Sequence, residues 1–175
     1  PIVSQRSTNG YPQQLARRLK VPSFTDMTSS GATTRHVLRG GQMLLGPQVE
    51  ALGPDTRLVT VTAGGNDVAY VGDITMMALK GRKDIMGALA AAFWNGAKPL
   101  NRRGFAELGT EFDALLAEIK RRSPSARIVV VTYPIIIPSK GSCAKLGLTE
   151  DQAQLMRAVG RSEERRVGKE CMPVC

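Results

Sequence analysis

The chain has 175 residues, is 42% hydrophobic and carries a net charge of +9 at pH 7. That length suffices for one substantial core, and the composition is that of a globular protein. The longest apolar stretch, from Ile128 to Ile137, is interrupted by Pro134 and falls well short of the ~20 residues that span a bilayer, which excludes an α-helical transmembrane segment. The positive charge is spread over pairs at Arg17-Arg18, Arg82-Lys83, Arg102-Arg103 and Arg121-Arg122, several of them at expected helix ends. Aromatic residues make up 5% of the chain and leave little for base stacking. We therefore read a solvated basic surface and expect no nucleic-acid partner.

Taken in chain order, Tyr11 to Lys20 predicts a helix, with Leu15 and Leu19 on one face, Arg17 and Arg18 on the other and Pro12 in its first turn. Phe24 to Thr28 predicts a short strand. Thr33 or Thr34 can cap a helix running to about Leu45, weakened at Gly40-Gly41. A helical piece at Gln48 to Leu52 leads into a strand at Leu58 to Thr62, and Asp67 to Leu79 predicts a helix. Ile85 to Trp94 is apolar and alanine-rich. Phe105 to Arg122 carries the clearest helical stripe, at Leu108, Phe112, Leu115, Leu116 and Ile119, and Ser123-Pro124 stops it. Arg127 to Tyr133 suits a parallel strand buried on both faces. Pro134 and Pro138 bracket a loop, and Thr149-Glu-Asp-Gln reads as a capping box opening a last helix to about Gly160. Strands alternate with helices, so a parallel sheet with right-handed crossovers is expected.

Chemistry concentrates in two blocks. In Leu58-Val-Thr-Val-Thr-Ala-Gly-Gly-Asn-Asp67, a strand runs into two glycines that permit a sharp turn and then presents Asn66. Open α/β sheets keep their ligand sites at such strand ends, and a carboxamide N–H can donate to a developing oxyanion. In Asp26-Met-Thr-Ser-Ser-Gly-Ala-Thr-Thr-Arg35, a second strand-turn-helix start places the backbone N–H near Gly31 where it can meet an anion. One backbone donor at Gly31 and one side-chain donor at Asn66 would make an oxyanion hole. The plainer readings are a turn role for Gly31, a helix cap for Asn66 and a first-turn role for Asp67. Ser30 lacks a Gly-x-Ser-x-Gly elbow. Met76, Met77 and Trp94 have the spacing of core residues, with an acyl-pocket lining as the other reading.

Ser30-Gly31-Ala32-Thr33-Thr34 followed about 35 residues later by Gly64-Gly65-Asn66-Asp67 resembles the SGNH (GDSL-type) ester hydrolases, and Arg127 to Pro134 resembles the family's next core strand. The resemblance covers roughly Tyr11 to Gly160. It implies a three-layer α/β/α, flavodoxin-like parallel sheet. It also implies an ester hydrolase in which Gly31 and Asn66 are oxyanion-hole residues, a small-molecule or lipid ester is the substrate, and no cofactor or metal is needed. The family's nucleophilic Ser stands on a turn after a first strand, and its His follows a carboxyl-terminal Asp-x-x-His or Ser-x-x-His; neither motif occurs here. The sole histidine is His36, just after the Gly31 block. The resemblance thus implies that the first strand and the nucleophile lie before residue 1, that the 175 residues alone are inactive, and that the strands at Phe24 and Leu58 lack a shared neighbour.

Residues 161 to 171, Arg-Ser-Glu-Glu-Arg-Arg-Val-Gly-Lys-Glu-Cys, break the preceding apolar period and resemble a translated sequencing-adapter peptide. We expect a partial hydrolase domain over 1–160 and a non-native tail over 161–175. Of three cysteines, Cys171 and Cys175 fall in that tail; Cys143 stands in a loop without a histidine partner in reach by sequence and reads as an inert thiol. Export, oligomeric state and the identity of the ester are not legible in the sequence.

Overall fold

A computed structural model describes residues 4–133, 136–141 and 146–169. The chain forms two compact units, Pro1–Ala63 with Thr110–Val131, and Gly64–Gly109 with Thr132–Cys175. Helix α5 (Phe105–Arg122) begins in the second unit and continues in the first.

The first unit contains α1 (Tyr11–Leu19), α2 (Thr34–Arg39), β1 (Leu58–Val61), most of α5, and β2 (Arg127–Val130). β1 and β2 pair in parallel, with Leu58 opposite Arg127 and Val61 opposite Val130. The ladder extends at both ends, where Arg127 N–H donates to the Arg57 carbonyl at 2.9 Å and Val131 N–H to the Val61 carbonyl at 2.8 Å. The expected stripe of α5 is its buried face: Leu108, Phe112, Leu115 and Ile119 follow a helical spacing and are all fully covered. Ser123 ends the helix buried, its hydroxyl donating to the Gly53 carbonyl at 2.8 Å.

Three expectations change. Phe24 to Thr28 is not a strand. A strand needs a ladder partner for its backbone groups, and here side chains substitute: Arg6 donates to the Thr28 carbonyl at 2.8 Å and also to the Asp26 carbonyl, and the Asp26 carboxylate accepts from Thr28 N–H at 2.9 Å. β2 is not buried on both faces, because its side chains alternate between exposed and half-buried. A sheet with two strands among the described residues has too little cover for a doubly buried one. α2 stops at Arg39 instead of running to Leu45. Gly40 turns at φ 72°, where a Cβ would stand 2.8 Å from the backbone of Gly46 and Pro47, and a 3-10 turn at Gln42–Leu44 follows. α1 forms as expected with Pro12 in its first turn, yet none of its residues is buried.

The second unit is helical, with α3 (Tyr70–Lys80), α4 (Ile85–Phe93), the first turn of α5, and α6 (Glu150–Lys169). α3 packs on α4 and on α6 around Val68, Tyr70, Ile74, Met77, Met156 and Val159. Of the two methionines, Met77 is core. The expected capping box at Thr149 is present: Gln152 N–H donates to the Thr149 hydroxyl at 3.3 Å, and the Gln152 side-chain oxygen accepts from Thr149 N–H at 2.9 Å. The helix it opens passes the expected domain boundary at 160 without a break.

Leu115 lies in the most buried stretch of α5. Leu115→Ala is expected to lower stability by ~2–5 kcal/mol, a large share of the ~5–15 kcal/mol typical of a domain. The shift in urea midpoint measures this.

Candidate active site

Asn66 stands in a tight turn. Asp67 N–H donates to the Gly64 carbonyl at 3.0 Å, Ala69 N–H to the Asn66 carbonyl at 3.2 Å and Tyr70 N–H to the Gly65 carbonyl at 2.7 Å. α3 starts only after Ala69, which holds a left-handed conformation at φ 57°; neither Asn66 nor Asp67 caps that helix or lies in its first turn. The glycines have separate reasons to be there. Gly64 sits at φ 113°, a region that L side chains rarely adopt. Gly65 is buried, and a Cβ on it would lie 2.9 Å from the ring of Tyr133.

Tyr133 is the residue that sequence reasoning missed. It lies 67 positions from Asn66, and its hydroxyl accepts the Asn66 Nδ2–H at 3.2 Å. The bond restrains the carboxamide, with the phenol oxygen accepting from its nitrogen end. Burial, reinforced by the charges of Glu163 and Asp67, pushes the Tyr133 phenol up to about 12, so it stays neutral at physiological pH. The only available signal was its place at the end of an expected strand.

Arg103 was also misread, as part of a basic surface pair. It is buried, and its guanidinium bonds the Asp73 carboxylate at 2.7 Å, the Val68 carbonyl at 2.5 Å and the Lys98 carbonyl at 2.7 Å. It thereby ties the exit of the Asn66 turn to the 98–103 loop and to α3. A buried charge is tolerated when it is paired and its N–H groups are satisfied, as here.

Gly31 belongs to the other unit. It is exposed, at φ 76°, in a turn where Ala32 N–H donates to the Ser29 carbonyl at 3.2 Å. Ser30 is exposed too; its N–H donates to the Ser4 carbonyl at 2.9 Å, and its carbonyl accepts from Gln42 at 2.7 Å. His36 serves the backbone. Its Nδ1 accepts the Thr33 N–H at 3.2 Å while the Thr33 hydroxyl accepts the His36 N–H at 3.3 Å, a reciprocal cap for α2. Cys143 and the other two cysteines lie outside the described residues.

The profile of the GDSL-like lipase/acylhydrolase family matches residues 3–168. The chain belongs to that family. It is 30% identical to a lipase of Streptomyces rimosus over 156 residues, 88% of this chain and 52% of that protein. It is 31% identical to lipase 2 of Streptomyces coelicolor over 167 residues, 90% of this chain and 54% of that one. The chain thus spans about half the length of the curated relatives it matches. Among solved structures, the extracellular lipase of S. rimosus superposes with a TM-score of 0.67 at 28% identity, over 97% of this chain and 65% of that one. Phospholipase A1 of Streptomyces albidoflavus shares the fold, with a TM-score of 0.71 at 24% identity and the same coverage. The expected α/β, flavodoxin-like SGNH class of the sequence is therefore the class of this GDSL-family chain.

The unusual electrostatic feature of the GDSL-family chain is Glu163 on α6. It is 2% exposed, and its Oε1 has no hydrogen-bond partner among the described residues. Burial, with the neighbouring charges of Glu164 and Asp67, pushes its carboxyl up to about 7. The folded state therefore holds the Glu163 proton more tightly than the unfolded chain does. Stability from this group is fully present below the ordinary carboxylate value and is lost as pH rises from about 4.5 through about 7. Thermal melts at pH 5 and pH 8 are expected to show the wild type weaker at pH 8 by an amount on the order of 3 kcal/mol. Glu163→Gln is expected to remove most of that difference.

Proposed function

We propose that the whole protein containing this chain hydrolyses carboxylic esters. A serine hydroxyl attacks the ester carbonyl while a histidine takes its proton. The tetrahedral intermediate's oxyanion is stabilised by the Gly31 backbone N–H and the Asn66 carboxamide. The alkoxide then leaves with the proton from the histidine, and water hydrolyses the acyl-serine by the same route. The substrate is a small-molecule or lipid ester.

The single observation that carries this reading is the setting of Asn66. The family match alone supports the reaction class. The Asn66 turn adds a side-chain donor that caps no helix, follows two glycines with distinct steric reasons, and is oriented by a phenol hydroxyl. A carboxamide held before substrate arrives needs no reorganisation when charge develops on the oxygen, which makes such donors effective.

In the whole protein, Asn66→Ala is expected to lower p-nitrophenyl ester turnover by ~10²–10³-fold while the circular dichroism spectrum stays unchanged. Undiminished turnover in that variant would remove Asn66 from the mechanism. The 175-residue chain alone is expected to hydrolyse no ester; retention of acyl or phosphate ligands without turnover by the whole protein would instead favour a binding module.

A further inference from the structure

Helix α4 is built the wrong way round for a packing helix. Its buried residues are the small ones, Gly87 and Ala90, while Ile85, Met86, Leu89 and Phe93 are exposed at 75%, 46%, 45% and 80%. These four positions fall within an arc of roughly 100° at 3.6 residues per turn. A helix that only stabilises a core turns its large apolar side chains inward. The inversion is enforced on the inner side, because a Cβ on Gly87 would lie 2.1 Å from the Arg82 carbonyl oxygen. Asp84 caps the helix, accepting the Gly87 N–H at 3.0 Å, so the apolar segment is a formed helix with a defined start.

The flanks of this helix are cationic. Between Lys80 and Ala106 the sequence has one carboxylate, Asp84, and Arg82 pairs with it. Lys80, Lys83, Lys98 and Arg102 are exposed and form no ion pair among the described residues. Trp94 ends the helix half-buried, with the Lys80 ammonium 6.0 Å from its ring centroid. An exposed apolar stripe whose flanking sequence carries exposed lysine and arginine and one tryptophan matches a surface with hydrocarbon below and negative charge above, which is the outer layer of an anionic bilayer.

We propose that α4 docks this chain onto anionic lipid surfaces, with Ile85, Leu89 and Phe93 entering the acyl boundary and Lys83, Lys98 and Arg102 meeting the headgroups. The surface acts independently of the ester chemistry. Trp94 is the sole tryptophan and reports directly on this site. The test is titration of the 175-residue chain with vesicles of 70% phosphatidylcholine and 30% phosphatidylglycerol, following Trp94 emission and co-sedimentation. The expected result is emission at shorter wavelength, co-sedimentation that weakens with added salt, and much weaker partitioning onto pure phosphatidylcholine. Phe93→Ser with Ile85→Ser, both at exposed positions, should weaken partitioning by roughly tenfold or more with the far-ultraviolet spectrum unchanged. Lys83→Gln and Lys98→Gln should each weaken it about fivefold. No partitioning, or partitioning that the serine variants leave unchanged, overturns the proposal. So does a vesicle-free, concentration-dependent dimer that the serine variants abolish, which would assign the face to a second copy of the chain.

Discussion

The site depends on the close approach between Gly65 and Tyr133. No side chain larger than hydrogen fits between that backbone and the phenol ring, and the same ring carries the hydroxyl that holds the Asn66 carboxamide. Sterics and hydrogen bonding therefore act on one short segment together. Gly64 at positive φ lets the chain enter the turn, Gly65 lets it lie against the ring, and the carboxamide is then oriented by a group whose own proton is kept by burial. This is preorganisation in a physical sense: the orientation of the donor is set by packing instead of by a ligand.

Two buried ionisable groups near this segment illustrate opposite solutions to desolvation. Arg103 is covered but surrounded by acceptors: the Asp73 carboxylate and the carbonyls of Val68 and Lys98. Its charge is matched, so burial converts it into a clamp on the Asn66 turn. Glu163 is covered without such partners and stands among like charges, so its carboxyl keeps its proton toward neutrality. One group ties elements together through charge; the other is tolerated only while neutral.

Helices α5 and α4 use their apolar side chains differently. α5 turns Leu108, Phe112, Leu115 and Ile119 inward and puts its charges outside, where Glu118 pairs with Arg121 and Arg122. α4 turns glycine and alanine inward and its large side chains outward. Inward burial of large side chains supplies stability to the core, whereas outward display leaves that free energy available to whatever covers the face.

Local chemistry was legible in the residues themselves. The stripe of α5, the caps at Thr33 and Thr149, the strand at Leu58 and the polar turn at Gly64-Gly65-Asn66 were all readable, because each is set by neighbours within a few positions. The order of the Gly31 and Asn66 blocks also identified the family, since both blocks are short and locally encoded. Tertiary structure decided the rest. Among the described residues, Phe24 to Thr28 has strand-forming residues but finds no ladder partner, and β2 has the composition of a buried strand but lacks the neighbours to bury it. Arg103 reads as surface until Asp73, thirty residues earlier, is brought beside it. Tyr133 meets Asn66 across 67 residues, and Glu163 on α6 is buried within reach of the charge of Asp67. Periodicity shows what a segment prefers; only long-range contacts settle which groups lose water and which partners replace it.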